Sequence, residues 1–195
     1  MKYNDNRDLD IPVRNLDKKK IRIKNAVKIF KKYVPKGSVL DVGTRDGYTV
    51  EYLNKVGYEA GGIEILKHYV EHARKKGRNV MFGDIMDIST LPNKKYDAIF
   101  SRHSIEHCRD AEQFMKSCEY LLKDRGVIFI VFPLENKKMF ERQERPYHMV
   151  YFPDEKSFLG LIKKSNFRKL KIGLTVKFGM RKRKKKELLF IGEKK

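Results

Sequence analysis

The feature that most narrows what this chain can fold into is a repeated change of period. Short apolar runs of strand character alternate with longer segments whose apolar residues return every three or four positions. The runs are Val39-Leu40-Asp41-Val42, Ala60 to Ile65, Asn79 to Phe82, Tyr96 to Ser101 and Val127 to Phe132. Between them, Gly47 to Val56, Lys67 to Lys76 and Asp110 to Leu122 read as helices. Strands separated by helices need crossover connections, which make the sheet parallel and cover both of its faces. The rhythm breaks at the end. A helix over Asp154 to Lys164, with Asp154 as N-cap, precedes two strands, Leu170 to Val176 and Leu188 to Ile191, with no helix between them. The expectation is an α/β fold of Rossmann-like type: a mostly parallel sheet with helices on both faces, closed by a C-terminal antiparallel hairpin.

Ahead of this pattern, Met1 to Leu16 carries little periodicity and reads as an extended lead-in. From Asp17 the residues Ile21, Ala26, Val27, Ile29, Phe30 and Val34 predict an amphipathic helix, capped by Asp17 and stopped at Pro35-Lys36-Gly37. The expected organisation is a lead-in and basic helix over 1–36 and one domain over 37–195.

The most informative segment is Val39-Leu40-Asp41-Val42-Gly43-Thr44-Arg45-Asp46-Gly47. A glycine-bounded turn between strand and helix lets backbone N–H groups approach a ligand and aims a helix N-terminus at negative charge. Glu64 ends the next strand, about twenty residues beyond the first glycine, where an acid can accept from ribose hydroxyls. Asp84 ends the third strand at the same carboxyl edge, which is where open parallel sheets bind ligands. A nicotinamide dinucleotide enzyme shares the glycine turn and the ribose acid; the terminal hairpin and the third acid count against it.

Taken in order, the Val39–Gly47 turn, Gly62-Ile63-Glu64, Gly83-Asp84, Tyr96-Asp97-Ala98-Ile99-Phe100-Ser101, Leu121-Leu122-Lys123-Asp124-Arg125-Gly126 and Ser165-Asn166-Phe167 resemble the successive motifs of class I S-adenosylmethionine-dependent methyltransferases, in particular the type 11 group. The resemblance spans Lys36 to Gly192. It implies a seven-stranded sheet with an antiparallel last strand, S-adenosylmethionine as cofactor and methyl transfer as the activity. It also implies a cofactor site built from Asp41, Gly43, Thr44, Arg45, Gly47, Glu64, Ile65, Asp84, Ile85 and Ser101. Asp41 would support the turn, Glu64 would hold the ribose and Asp84 would lie beside the adenine. Arg45 departs from the pattern, standing where the family usually has its middle glycine, so its Cβ could crowd the cofactor.

Methyl transfer from a sulfonium needs mainly alignment, and a base matters only when the acceptor carries a proton. His103-Ser104-Ile105-Glu106-His107 follows the fourth strand, and His148 precedes Tyr151-Phe152-Pro153. His103 and His148 are the candidate catalytic residues, and Leu134 to Pro153 is the candidate acceptor-facing region. His103, Glu106, His107 and His148 are also the set that would hold a metal. They resemble the Glu-x-x-Glu-His pattern of small-RNA 2′-O-methyltransferases, with His103 in place of the first glutamate, and the Glu-His pair of quinone O-methyltransferases. No bound metal is expected, the pair Glu106-His107 being read as a brace for its loop.

Composition adds the partners. The formal net charge is +20 over 195 residues. The excess is concentrated in Lys18 to Lys32 and in Lys163 to Lys186, where Arg181 to Lys186 forms a continuous run. Such clusters attract polyanions through counterion release, or simply solvate a surface. The acceptor is therefore open between a small molecule, slightly favoured, and RNA or DNA; a non-catalytic binding protein of the same fold is the third reading. Two cysteines, Cys108 and Cys118, both read as helical and about 15 Å apart along it, are expected to be reduced thiols. The longest apolar run, Val127 to Leu134, is too short to span a membrane. A cytoplasmic protein with no membrane partner is expected; the sequence leaves its oligomeric state open.

Overall fold

The computed structural model describes residues 13–142, 147–178 and 184–195. Seven strands form one sheet: β1 (Ser38–Val42), β2 (Glu59–Glu64), β3 (Val80–Phe82), β4 (Tyr96–Arg102), β5 (Leu122–Pro133), β6 (Phe167–Phe178) and β7 (Lys184–Lys194). Their order is β3-β2-β1-β4-β5-β7-β6. β1 to β5 pair in parallel, and β7 runs antiparallel to both β5 and β6. The crossovers and the closing hairpin thus follow the change of period seen in the sequence.

Central strands buried on both faces alternate between two cores. On one side Val39, Phe100, Phe129 and Ile191 meet the helices α1 (Val13–Phe30), α2 (Tyr48–Lys55) and α3 (Lys67–Lys75). On the other, Leu40, Ile99, Ile128, Phe132 and Phe190 meet α4 (Ala111–Leu121) and α6 (Glu155–Lys163). Between β5 and α6 lies a short helix that the sequence pattern did not announce, α5 (Lys137–Glu141). Phe30 sets α1 over the sheet, its ring edge-on to Phe100 and Phe129 at 5.4 and 5.7 Å. Asp110 and Asp154 cap α4 and α6, the latter in a reciprocal capping box with Ser157.

Three expectations are corrected. The first helix spans Val13–Phe30, so Asp17 lies within it and is not its N-cap. Ile21 is 56% exposed, and Ile23 supplies the buried position in the stripe Ile23, Val27, Phe30 and Val34. Cys108 precedes α4 instead of sharing it with Cys118; both thiols are free and buried. Burial pushes the Cys108 thiol up to about 12, which makes it a poor nucleophile. No helix among the described residues is long and apolar enough to cross a membrane. The lead-in up to Pro12 and Arg181 to Arg183 of the basic run lie outside the described residues.

Candidate functional site

At the carboxyl edge, the chain leaves β1 through a turn that is held tightly to β2. The N–H groups of Gly43 and Thr44 both donate to the Ile63 carbonyl, at 3.0 and 3.2 Å. Gly43 and Gly47 are both left-handed, with φ of 73° and 72°. A Cβ on Gly43 would stand 2.2 Å from Ser104 Oγ, so only glycine fits against the loop after β4. Arg45 takes φ 56°, a conformation that side chains adopt at a cost of about 1–3 kcal/mol. Its N–H donates to Glu64 Oε2 at 2.8 Å, and its guanidinium turns onto Tyr69, 3.1 Å from the hydroxyl and 5.4 Å from the ring centre. The side chain in the middle-glycine position is therefore anchored on α3. Glu64 is buried, with Oε1 accepting from Leu66 N–H at 3.0 Å, so one carboxylate ties the first turn to the end of β2.

Asp41 lies beneath the turn, buried, with Oδ2 lacking a hydrogen-bond partner and the buried Thr44 hydroxyl beside its carboxyl. Burial raises the Asp41 carboxyl to about 7, and the Thr44 hydroxyl, Arg102 and Thr49 offset that only in part. A buried carboxyl oxygen without a partner, under left-handed glycines at a parallel-sheet edge, suits a ligand with a cationic amine. This is a fit for the amino-acid end of S-adenosylmethionine.

The remaining predicted cofactor residues are spread along the same edge. Asp84 is half-buried and accepts from Met86 N–H through Oδ1 at 2.9 Å, which folds the chain after β3 into a local turn. Ile65 is partly exposed beside Glu64, whereas Ile85 is packed into the core beneath Asp84. Ser101 is fully buried, its hydroxyl directed to the Val42 carbonyl at 3.4 Å, between β4 and β1.

Beyond β4 the backbone strains again at His103, with φ 57°. Its Nδ1 is 3.0 Å from Glu106 Oε1 and its Nε2 is 2.7 Å from Glu187 Oε1, so both ring nitrogens face buried carboxylates. Burial alone would lower the His103 pKa; the two glutamates overcome it and raise the value. His103, read from the sequence as a candidate catalytic residue and as one of four possible metal ligands, thus lies between Glu106 and Glu187 and links the loop after β4 to β7. The other three members of that set come together. Ligand atoms of Glu106, His107 and His148 lie within 4.8 Å of one another. His107 Nδ1 is 2.9 Å from the Tyr147 carbonyl, and burial, with His148 and His103 nearby, lowers its pKa against the pull of Glu106. His148 Nδ1 stands 2.9 Å from Glu135 Oε1, a close contact without hydrogen-bond alignment.

Sequence reasoning did not find Ser104, Arg102, Glu135 or Glu187. Ser104 Oγ donates to the Val42 carbonyl at 2.8 Å and fills the space beside Gly43. Glu187 had a signal, as one of two acids facing a long basic hairpin. Glu135 and Arg102 had none, because their roles depend on contacts distant in the chain.

Comparison with known proteins gives the family and the fold. A family model described as a methyltransferase domain matches residues 15–172. A ubiquinone biosynthesis O-methyltransferase of Pelagibacter ubique is 28% identical over 130 residues, covering 61% of this chain and 54% of that protein. An S-adenosyl-L-methionine-dependent Diels-Alderase of Talaromyces variabilis is 27% identical over 108 residues, covering 50% and 37%. The chain therefore spans about half the length, or less, of these curated relatives. The magnesium protoporphyrin IX methyltransferase of Synechocystis PCC 6803, solved with bound S-adenosylhomocysteine, shares the fold at a TM-score of 0.68 and 14% identity, over 95% of this chain and 89% of that one.

Proposed function

Because this chain belongs to the methyltransferase domain family, we propose that it binds S-adenosylmethionine at the carboxyl edge of the sheet and transfers its methyl group to a small-molecule acceptor. The observation that carries the reading is the turn between β1 and α2. Two left-handed glycines, a buried acid with an unpartnered oxygen and the Glu64 carboxylate converge there. Asp41 and Thr44 would face the amino-acid end of the cofactor, Glu64 the ribose hydroxyls and Asp84 the adenine side. When bound, S-adenosylmethionine supplies an electrophilic methyl whose leaving group is neutral. The protein's own part is to orient that methyl and exclude water, with the 147–153 segment on the acceptor side. The name of the Pelagibacter relative, an O-methyltransferase of quinone synthesis, supports a small acceptor with an oxygen nucleophile.

A second reading rests on charge. The outward residues Lys18, Arg22, Lys24, Lys28, Lys31 and Lys32 of α1 and the turn after it are exposed. Lys20 and Lys24 also lie over the rings of Tyr48 and Tyr52, at 5.7 and 5.9 Å. Such a face attracts nucleic acid at low salt without specificity. A radiolabelled methyl screen over hydroxylated small molecules, RNA and DNA separates the two, run on the parent and on a variant with Lys18, Lys24, Lys28 and Lys31 changed to serine. We expect label on a small molecule, and equal turnover in both proteins. Label confined to nucleic acid, falling in the variant together with the salt slope of binding, would replace the small-molecule reading.

A further inference from the structure

We propose that Glu106, His107 and His148 form a site for one divalent transition-metal ion on the acceptor side of the cofactor edge. Glu106 is 2% exposed, with Oε1 engaged by His103 and Oε2 buried without a hydrogen-bond partner. A buried carboxylate oxygen left unsatisfied is costly, and a bound cation would satisfy it. The two histidines converge on this carboxylate from different parts of the chain. Their rings meet edge-on, with centroids 4.8 Å apart. The Met149 N–H donates to the Glu106 carbonyl at 2.7 Å, which fixes the His148 segment against the short helical turn Ile105–His107.

The surroundings orient the His107 ring as the outer partner of a metal-bound histidine does, and a carboxylate stands beside the His148 ring. His107 Nδ1 meets the Tyr147 carbonyl and His148 Nδ1 meets the Glu135 carboxylate, each at 2.9 Å. For His107 the carbonyl can only accept, so the ring proton sits on Nδ1, the tautomer that ligates through Nε2. Ligand atoms around one ion at about 2.1 Å stand roughly 3–3.5 Å apart, so the observed spread of up to 4.8 Å closes by small side-chain rotations. Two imidazoles and one carboxylate favour zinc, cobalt, iron or manganese over calcium or magnesium, and three protein ligands leave a position open. On the methyltransferase reading, on which its role but not its existence rests, that open position would take an oxygen of the methyl acceptor.

The test is titration of the metal-free full chain with Co²⁺, followed by its visible absorption and by calorimetry, with Zn²⁺ as competitor. S-adenosylhomocysteine binding, measured on the same samples, reports whether the fold and the cofactor site are intact. One equivalent of Co²⁺ should bind with the spectrum of nitrogen and oxygen ligation and be displaced by Zn²⁺. His107→Ala, His148→Ala and the shape-preserving Glu106→Gln should each weaken binding by more than about 10-fold, the scale on which even outer-shell partners act. His68→Ala should not. No saturable Co²⁺ binding by the parent, or binding that survives the His107→Ala/His148→Ala double variant, overturns the site. Co²⁺ binding without S-adenosylhomocysteine binding would instead remove the cofactor reading and leave the metal site standing.

Discussion

Glu64→Ala is expected to weaken S-adenosylhomocysteine binding by about 1.5–3 kcal/mol, roughly 10- to 150-fold, the range for hydrogen bonds to a charged acceptor. Two of its effects would act together. The carboxylate faces the edge where ribose hydroxyls would lie, and it also accepts the N–H groups of Arg45 and Leu66, which shape both loops of the site. Calorimetry of the variant separates these effects when paired with its melting temperature. A lowered melting temperature with an unchanged dissociation constant would show that Glu64 only braces the turn, and the ribose assignment would fall.

Asp41→Asn should change the pH dependence of stability more than any other substitution at the site. The folded-state carboxyl titrates at about 7 against an ordinary 3.8, so the fold favours the protonated form. The protein without cofactor is then most stable, as far as this group goes, below pH 4, and it loses stability as pH rises from there through 7. The gap corresponds to on the order of 4 kcal/mol. For a chain of this size each kcal/mol moves the melting temperature by about 2–4 °C. Asparagine has the same shape and no charge to desolvate, so the variant should gain steadily on the parent between pH 4 and 8. A cationic ligand beside Asp41 reverses the balance by favouring the carboxylate. Parent affinity for S-adenosylmethionine should therefore rise with pH through 7, and that of the variant should stay flat. Parallel pH profiles for the two proteins, in stability and in affinity, would contradict this role.

How much of this could be read from the sequence depends on where each residue's partners lie. The parallel sheet and its closing hairpin were legible because period and β-branched character are local properties. The placement of Gly43, Gly47, Glu64 and Asp84 along the carboxyl edge was legible for the same reason, because each stands at or just after a strand end. What eluded the sequence was set by contacts across the fold. His103 was singled out as a candidate catalytic residue and metal ligand by its place after β4; its partner Glu187 arrives from β7, more than eighty residues later. Arg45 stood out in the glycine turn as a side chain whose Cβ could crowd the cofactor unless it pointed outward, and the contact with Tyr69 on α3 that holds its guanidinium could not be foreseen. The start of α1 was misplaced because Asp17 is a good cap in isolation, and the helix begins a turn earlier than the apolar stripe alone suggested. Glu106, His107 and His148 were visible as part of a set with His103, but the backbone link from Met149 to Glu106 that joins them was not.

The central claim is that the edge around Asp41, Gly43 and Glu64 holds S-adenosylmethionine, and its most direct test is calorimetry on the unmodified chain. One equivalent each of S-adenosylmethionine and S-adenosylhomocysteine should bind, the two should compete, and NAD should not displace either. Absence of saturable binding by both, or displacement by NAD with equal affinity, would contradict the account.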